Sequence, residues 1–190
     1  MSQAAAKNTQ SSKFSVRDIC YTGLFAAVIA VMAQISIPMP LGVPMTMQTF
    51  AITLAAVVLG SKLSAMASLV YLILGAVGVP VLASFSGGID KFVGPTGGFL
   101  ISFPLMAYII GLGVEHRNAF KGAFPLAVVV GTVVNYIVGV ILFVIVAHST
   151  VAVAISACVL PFIPTAIIKA VLACVLGLNI RKRIPGVKKA

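Results

Sequence analysis

The sequence predicts an all-α membrane protein, a compact bundle of six transmembrane helices with cytoplasmic N- and C-termini. Hydrophobic residues make up 61% of the 190 residues and charged residues only 8%, and the mean hydropathy is +1.17. A soluble globular domain carries ~25% charged residues, so this chain could not cover its own surface in water. The lengths of the apolar runs then give the number of spans, and the basic residues give their orientation.

The apolar runs have the length of membrane-spanning helices, which need ~20 residues. Residues 1–18 are polar and are expected to form a disordered cytoplasmic tail. The last apolar run, Val151–Ile180, contains the helix breakers Pro161 and Pro164, so we place Val151–Leu160 at the membrane interface. The predicted membrane domain, residues 19–183, has its six spans at Ile19–Ile37, Val43–Leu59, Leu63–Leu82, Gly98–Val114, Ala123–Ala147 and Pro161–Ile180.

The basic residues indicate how the bundle is oriented. Cytoplasmic segments of membrane proteins are enriched in Lys and Arg, and a six-span arrangement places the basic C-terminal tail, residues 184–190, in the cytoplasm. Lys91 falls in an external segment and Lys169 inside a span. The other eleven of the thirteen Lys and Arg fall in cytoplasmic segments: Lys7, Lys13, Arg17, Lys62, Arg117, Lys121, Arg181, Lys182, Arg183, Lys188 and Lys189. The net charge of +10 therefore reports the orientation of a multi-pass protein in the lipid of the cell membrane and does not indicate nucleic-acid binding.

The chain offers little catalytic or metal-binding chemistry. Its three carboxylates, Asp18, Asp90 and Glu115, lie outside the predicted spans, and no phosphate-binding P-loop motif is present. The three cysteines lie in apolar runs without metal-ligand spacing. We therefore expect no enzyme, no catalytic residue, no cofactor and no metal site.

Two predicted external segments are irregular in composition. Residues 36–47 read SIPMPLGVPMTM, with three prolines, and residues 83–98 read ASFSGGIDKFVGPTGG, with five glycines. Irregular backbone at membrane depth is tolerated where it is buried in protein or lines a cavity. Together the two segments predict a covered pocket that opens outward.

Lys169 is the strongest single indication of a binding site. It lies ~12 Å inside the sixth span at 1.5 Å per residue, and an ionisable group inside a membrane is a functional-site hypothesis by default. No carboxylate in the spans can neutralise it, so its expected partner is an anionic or strongly polar ligand. Gln48 and Asn135 are further buried polar candidates, although Asn135 is equally explained by a hydrogen bond between helices.

Four sequence blocks resemble the BioY family, the biotin-binding S components of energy-coupling factor vitamin transporters. The blocks are VPMTMQTFAITLAAVVLG, YLILGAVGVPV, GGIDKFVGPTGGFLISF and PFIPTAIIKAVLA, and the resemblance extends from about Ile19 to Arg183. It implies a six-helix subunit that binds biotin in an outward-facing pocket. It also implies partnership with a transmembrane coupling protein and two cytoplasmic ATPase subunits.

The resemblance also implies roles for individual residues. In the family, the ligand is contacted by the first external loop, the glycine-rich loop and the sixth helix, which here correspond to Gln48, Ser84, Phe85, Gly97, Gly98 and Lys169. An AxxxA pattern on the first helix contacts the coupling protein, and Ala26 and Ala30 match it. The chain departs from the family pattern at one position of the sixth helix. In the family an Asp lies three residues before the Lys, whereas this chain has Ala166 there.

Two alternatives to a biotin-binding subunit remain at this point. The chain could be an S component for a different small vitamin or precursor, for which Ala166 is the only support. It could also be a membrane scaffold without transport activity or an intramembrane enzyme. A small molecule that co-purifies with the protein would favour a transport subunit over the second alternative.

The predicted orientation can be tested with reporter fusions. Because the basic residues are concentrated on one side, fusions at Ser61, Asn118 and Ala190 should report the cytoplasm. Fusions at Gly88 and Ser149 should report the outside. An external C-terminus would exclude the six-span arrangement.

Overall fold

The structure, a computed structural model, describes residues 15–39, 42–118 and 122–184. Within these ranges most of the chain is helical, with one short two-stranded hairpin. The elements are α1 (Val16–Ala33), β1 (Ser36–Ile37), β2 (Met45–Thr46), α2 (Gln48–Leu59), α3 (Ser61–Ala76), α4 (Asp90–Val93), α5 (Gly97–Glu115), α6 (Ala123–Val146), α7 (Val151–Cys158) and α8 (Ile163–Arg183). Short 3₁₀ turns cover Ala83–Phe85 and Leu160–Phe162.

The apolar helices agree with the predicted membrane bundle but differ from it in length. Among the described residues, α1, α5, α6 and the combined α7–α8 segment are long and apolar enough to cross a membrane. Helices α2 and α3 are shorter, with 12 and 16 residues. The predicted span Val43–Leu59 was too long because Met45 and Thr46 pair with Ile37 and Ser36 in the hairpin.

Two predicted boundaries near the ends of the chain can be compared with the structure. Helix α1 begins at Val16, three residues before the predicted start, because the Ser15 N–H donates to the Asp18 carboxylate at 3.1 Å and caps the helix. The predicted break in the last apolar run is present: α7 packs on α6, a turn containing Pro161 follows, and α8 packs on α2. The remaining parts of both predicted tails, residues 1–14 and 185–190, lie outside the described residues.

Helix α2 lies at the centre of the bundle. It contacts α1, α3, α5 and α8, and eleven of its twelve residues are buried. Because nearly all of its residues are buried, neighbouring helices cover α2 on every face. At 1.5 Å per residue α2 is only ~18 Å long, and the residues at its two ends, Gln48 and Leu59, are both buried.

Helix α8 runs parallel to α2 and is tied to it at two points by cations. Lys169 Nζ donates to the Thr46 carbonyl at 2.7 Å, just before α2 begins. Arg181 Nη1 donates to the Val57 and Val58 carbonyls at 3.0 and 3.1 Å, at the end of α2. Because the partners at both points are 123 or 124 residues apart in sequence, the two helices run in the same direction.

A single residue, Gly60, joins α2 to α3. Its φ of +86° is in the left-handed region, and a Cβ there would collide with the Glu115 carboxylate. That carboxylate accepts a hydrogen bond from the Ser61 N–H at 2.7 Å and also from its hydroxyl. A negative charge at the N-terminus of α3 is favourable because of the helix dipole. We call this region the Gly60 end and the opposite region, which carries β1 and β2, the hairpin end.

Replacing Arg181 with Leu should destabilise the protein, because the last carbonyls of α2 would lose a buried donor. Leaving buried polar groups unpaired costs ~1–3 kcal/mol, so the midpoint of thermal unfolding in detergent should fall, and Arg181→Lys should recover part of the loss. Lys182→Leu is the matched control, since Lys182 is the exposed neighbour on the same helix turn. Equal midpoints for the two Leu variants would contradict this role of Arg181.

Candidate functional site

A cavity of about 290 Å³ lies at the hairpin end of the bundle. Its volume is close to the lower end of the ~300–1,000 Å³ that is usual for small-molecule sites. Its wall is formed by the segment before α2, α2 itself, the residues after α3, and α4 to α8. The lining residues are Gly42, Val43, Pro44, Thr46, Gln48, Thr49, Leu82, Ala83, Ser84, Ser86, Lys91, Thr96, Phe99, Leu100, Phe103, Asn135, Tyr136, Cys158, Phe162, Thr165, Ala166 and Lys169.

Lys169 lines this cavity from α8, as Ala166 does one turn earlier. The Lys169 ammonium has three donors, one of which is used by the Thr46 carbonyl at 2.7 Å. The remaining donors can therefore serve a group in the cavity. Ala166 presents only a methyl group, so this turn of α8 offers a cation without a carboxylate beside it.

Gln48 is held by hydrogen bonds on both sides of its amide. Its Oε1 accepts from the Thr46 hydroxyl at 2.8 Å, and its Nε2 donates to the Tyr71 hydroxyl at 2.5 Å. Gln48 and Tyr71 are both buried. The network fixes the orientation of Gln48 at the first turn of α2, so this side chain presents a preformed polar surface to the cavity.

Asn135 connects α6 to α5 and also lines the cavity. Its Nδ2 donates to the Ser102 hydroxyl at 2.8 Å and to the Phe99 carbonyl at 3.1 Å. The sequence left open whether Asn135 joins two helices or binds a ligand. The two roles are compatible, because the amide nitrogen joins α6 to α5 while the residue also borders the cavity.

The segment after α3 is fixed in an uncommon conformation. Ser84 and Phe85 have φ values of +58° and +53°, which are sterically costly for residues other than glycine. Gln34, at the end of α1, holds this segment: its Nε2 donates to the Val81 and Leu82 carbonyls, and its Oε1 accepts from the Phe85 N–H at 2.7 Å. Ser84 lines the cavity, whereas the Phe85 side chain is 72% exposed and does not.

Gly97 and Gly98, which the resemblance places at the ligand, do not line the cavity. Both are buried at the start of α5. A Cβ on Gly97 would collide with the Phe92 carbonyl, and one on Gly98 would lie 2.5 Å from the Val138 carbonyl of α6. The structure therefore explains these glycines by close packing of α5 against α4 and α6.

Several cavity residues were not singled out from the sequence. Phe99 and Tyr136 pack edge to face with ring centroids 6.4 Å apart and form an apolar wall. Lys91 adds a second cation and pairs with Asp90 at 3.1 Å, with both side chains partly exposed. Aromatic residues in apolar spans carry no distinguishing signal, but a lone external lysine beside a glycine-rich segment could have been recognised.

The structure places the Ala26–Ala30 pair, which the resemblance assigns to the contact with the coupling protein, on an inward face of α1. Ala26 is 3% exposed and belongs to the core, and Ala30 packs against the same core. The face of α1 that carries these residues packs on α2 and α3. The exposed small residues of α1 are instead Gly23 and Ala27, one helix turn apart.

A metal ion would need a group of His, Cys, Asp or Glu ligands at the site. Within the described ranges, no three His, Cys, Asp or Glu side chains lie close enough together to hold one. The cavity instead combines two lysines, fixed amides and hydroxyls with an aromatic and aliphatic wall. Such a lining suits a small anionic or polar organic molecule with an apolar part.

Comparison with known proteins agrees with the resemblance seen in the sequence. The sequence pattern described as the BioY family matches residues 6–186. A protein of Thermotoga maritima named biotin transporter BioY is 41% identical over 168 residues, which cover 88% of this chain and 97% of that protein. The biotin transporter BioY of Rhodobacter capsulatus is 35% identical over 181 residues, covering 89% and 95% of the two chains.

A solved structure is similar over nearly the whole chain. It is a crystal structure of the S-component for biotin from an ECF-type ABC transporter, with a TM-score of 0.79 and 28% sequence identity. The match covers 94% of this chain and 95% of the other. The similarity therefore includes the helices that form the cavity as well as the general architecture.

Proposed function

This chain belongs to the BioY family, and we propose that it binds biotin in the hairpin-end cavity as the S component of an ECF-type ABC transporter. It is a multi-pass membrane transporter subunit rather than an enzyme. The observation that carries the proposal is Lys169, a cation within a membrane helix that borders a cavity of ligand size.

The chemistry of biotin matches the lining of the cavity. Biotin has an anionic carboxylate, a flexible apolar chain and a fused ring with a polar urea group. Lys169 and Lys91 supply positive charge for the carboxylate or the urea carbonyl, while Phe99, Leu100 and Phe103 supply an apolar wall for the chain and the ring. Buried polar groups favour ligands that satisfy them, which supports a site with defined specificity.

We propose further that the bundle crosses the membrane six times, with the hairpin end outside and both termini in the cytoplasm. Helices α2 and α8 run parallel, and α3, α5 and α6 lie between them in sequence. If α3, α5 and α6 each cross the membrane in the direction opposite to the span before them, α8 has the same direction as α2, as observed. The basic residues Arg181, Lys182 and Arg183 lie at the Gly60 end, which the positive-inside rule assigns to the cytoplasm.

The energy for uptake would come from partners, a transmembrane coupling protein and two cytoplasmic ATPase subunits. The solved relative is described as part of an ECF-type ABC transporter. On α1 the small residues that remain accessible are Gly23 and Ala27, and a Cβ on Gly23 would meet no atom within 4 Å. Small residues let two membrane helices approach closely, so we place the contact with the coupling protein on this face.

Biotin binding by the purified chain tests the proposed ligand. Because the chain has no Trp, calorimetric titration is a suitable measurement. Lys169→Ala should weaken binding by about tenfold or more, since a hydrogen bond to a charged group is lost. Ala166→Asp should strengthen it by roughly five- to more than a hundredfold, because the variant supplies an acceptor for a urea N–H.

Lys182→Ala is the matched control, since it removes an exposed lysine from the same helix far from the cavity. Its affinity should equal that of the unmodified chain. If biotin does not bind, the ligand assignment fails. If another vitamin then raised the midpoint of thermal unfolding, the chain would be an S component for that vitamin, the alternative that Ala166 supports.

The coupling face can be tested with two neighbouring alanines. Ala27→Leu should leave biotin binding by the isolated chain within about twofold but reduce uptake by the assembled transporter, because a large side chain holds the helices apart. Ala26→Leu should instead destabilise the isolated chain by ~1–3 kcal/mol through overpacking of the core. Ala152→Leu, at an exposed alanine of α7, should change neither property. Normal uptake with Ala27→Leu would place the coupling contact elsewhere.

A further inference from the structure

The side-chain amide of Asn135 is only half used by the contacts within the protein. We propose that its Oδ1 accepts a hydrogen bond from one urea N–H of the bound ligand, which makes Asn135 a specificity-determining residue of the site. This inference rests on the proposed function and names the polar group that distinguishes a cyclic urea from similar ligands that lack its N–H donors.

The orientation of the amide is fixed by its partners on α5. The Phe99 carbonyl can only accept a hydrogen bond, and the amide nitrogen of Asn135 donates to it at 3.1 Å. The Ser102 hydroxyl already donates to the same carbonyl at 3.0 Å, so it accepts from the Asn135 nitrogen at 2.8 Å. If the amide were turned over, Oδ1 would face the Phe99 carbonyl oxygen, and both atoms are acceptors. The observed orientation, with Oδ1 on the side away from α5, is therefore favoured.

The Oδ1 atom has no donor among the described residues, since both hydrogen bonds of the Asn135 side chain are made by its nitrogen. Asn135 is only 2% exposed overall. The Oδ1 atom nevertheless keeps some accessible surface, because the fully enclosed side-chain atoms without a partner in the described part of the chain do not include it. Because the residue lines the cavity and is otherwise buried, the cavity is the side from which a ligand donor can reach Oδ1.

The α8 side of the cavity supplies a cation but no carboxylate for the urea N–H groups. The Lys169 side chain supplies only donors, and the Ala166 side chain has no polar atom. A urea group has one carbonyl acceptor between two N–H donors, so a cation alone satisfies only the carbonyl. Asn135 Oδ1 then accepts a hydrogen bond from one urea N–H. The second urea N–H is the donor that the carboxylate introduced by Ala166→Asp would accept from.

The test compares biotin with two analogues in which one or the other urea N–H is replaced by an ether oxygen, giving cyclic carbamates of nearly the same shape. Dissociation constants are measured for the unmodified chain and for Asn135→Leu. Asn135→Leu should weaken biotin by about five- to a hundredfold. For one carbamate the variant should have less than a twofold effect, because the donor is already absent, while for the other carbamate the full effect should remain.

Thr132→Val is the control. Thr132 lies on α6 one turn before Asn135, its hydroxyl bonds to the Val128 carbonyl of the same helix, and it does not line the cavity. Its variant should bind all three ligands as the unmodified chain does. The inference is overturned if Asn135→Leu weakens biotin and both carbamates equally. Failure of the unmodified chain to bind biotin would instead refute the proposed function.

A structure of the unmodified chain with biotin provides a second test that does not depend on the variant being folded. The Asn135 Oδ1 atom should lie within ordinary hydrogen-bond distance, ~2.7–3.2 Å, of a urea nitrogen. A carboxylate or an apolar part of biotin against Oδ1 would overturn the inference.

Discussion

The buried position of α2 is the constraint on which the rest of the structure depends. A helix surrounded by protein cannot satisfy its terminal carbonyls with water, so donors must come from neighbouring helices. Arg181 supplies them at the end of α2, and Lys169 supplies one to Thr46 just before its beginning. Both cations belong to α8. The same contacts that satisfy α2 therefore fix the direction of α8 and place its cavity-lining residues.

This arrangement gives Lys169 two roles that cannot be separated. It holds the strand that precedes α2 and presents its remaining donors to the cavity. An anionic ligand would thus bind to a cation that already has a fixed position, which lowers the entropic cost of ordering the site. The backbone carbonyl also contributes only a partial negative charge, so Lys169 keeps most of its attraction for an anion.

The features that could be predicted from the sequence depend on the hydropathy of a whole segment or on prolines that interrupt a helix. Hydropathy predicted the apolar helices, Pro161 and Pro164 predicted the separation of α7 from α8, and the cost of a charge in the membrane pointed to Lys169. The orientation of each helix was harder to predict. Lipid and protein core both accept apolar side chains, so the pattern of α1 could not show that Ala26 faces inward. Gly97 and Gly98 show a second ambiguity, because a glycine required for packing and one required for ligand binding look the same in a sequence; their assignment to the ligand stays a prediction.

The polar groups of the cavity come from separate parts of the bundle, and this has a consequence for transport. Gln48 begins α2, Asn135 joins α6 to α5, Lys169 belongs to α8, and Ser84 lies in the turn that Gln34 holds against α1. A ligand that contacts several of these groups links helices that are distant in sequence. It can stabilise one arrangement of the bundle only by the difference between its affinities for the alternative arrangements. If the coupling partner proposed above meets the exposed face of α1 and distinguishes the occupied subunit from the empty one, ligand binding at the hairpin end must alter that face.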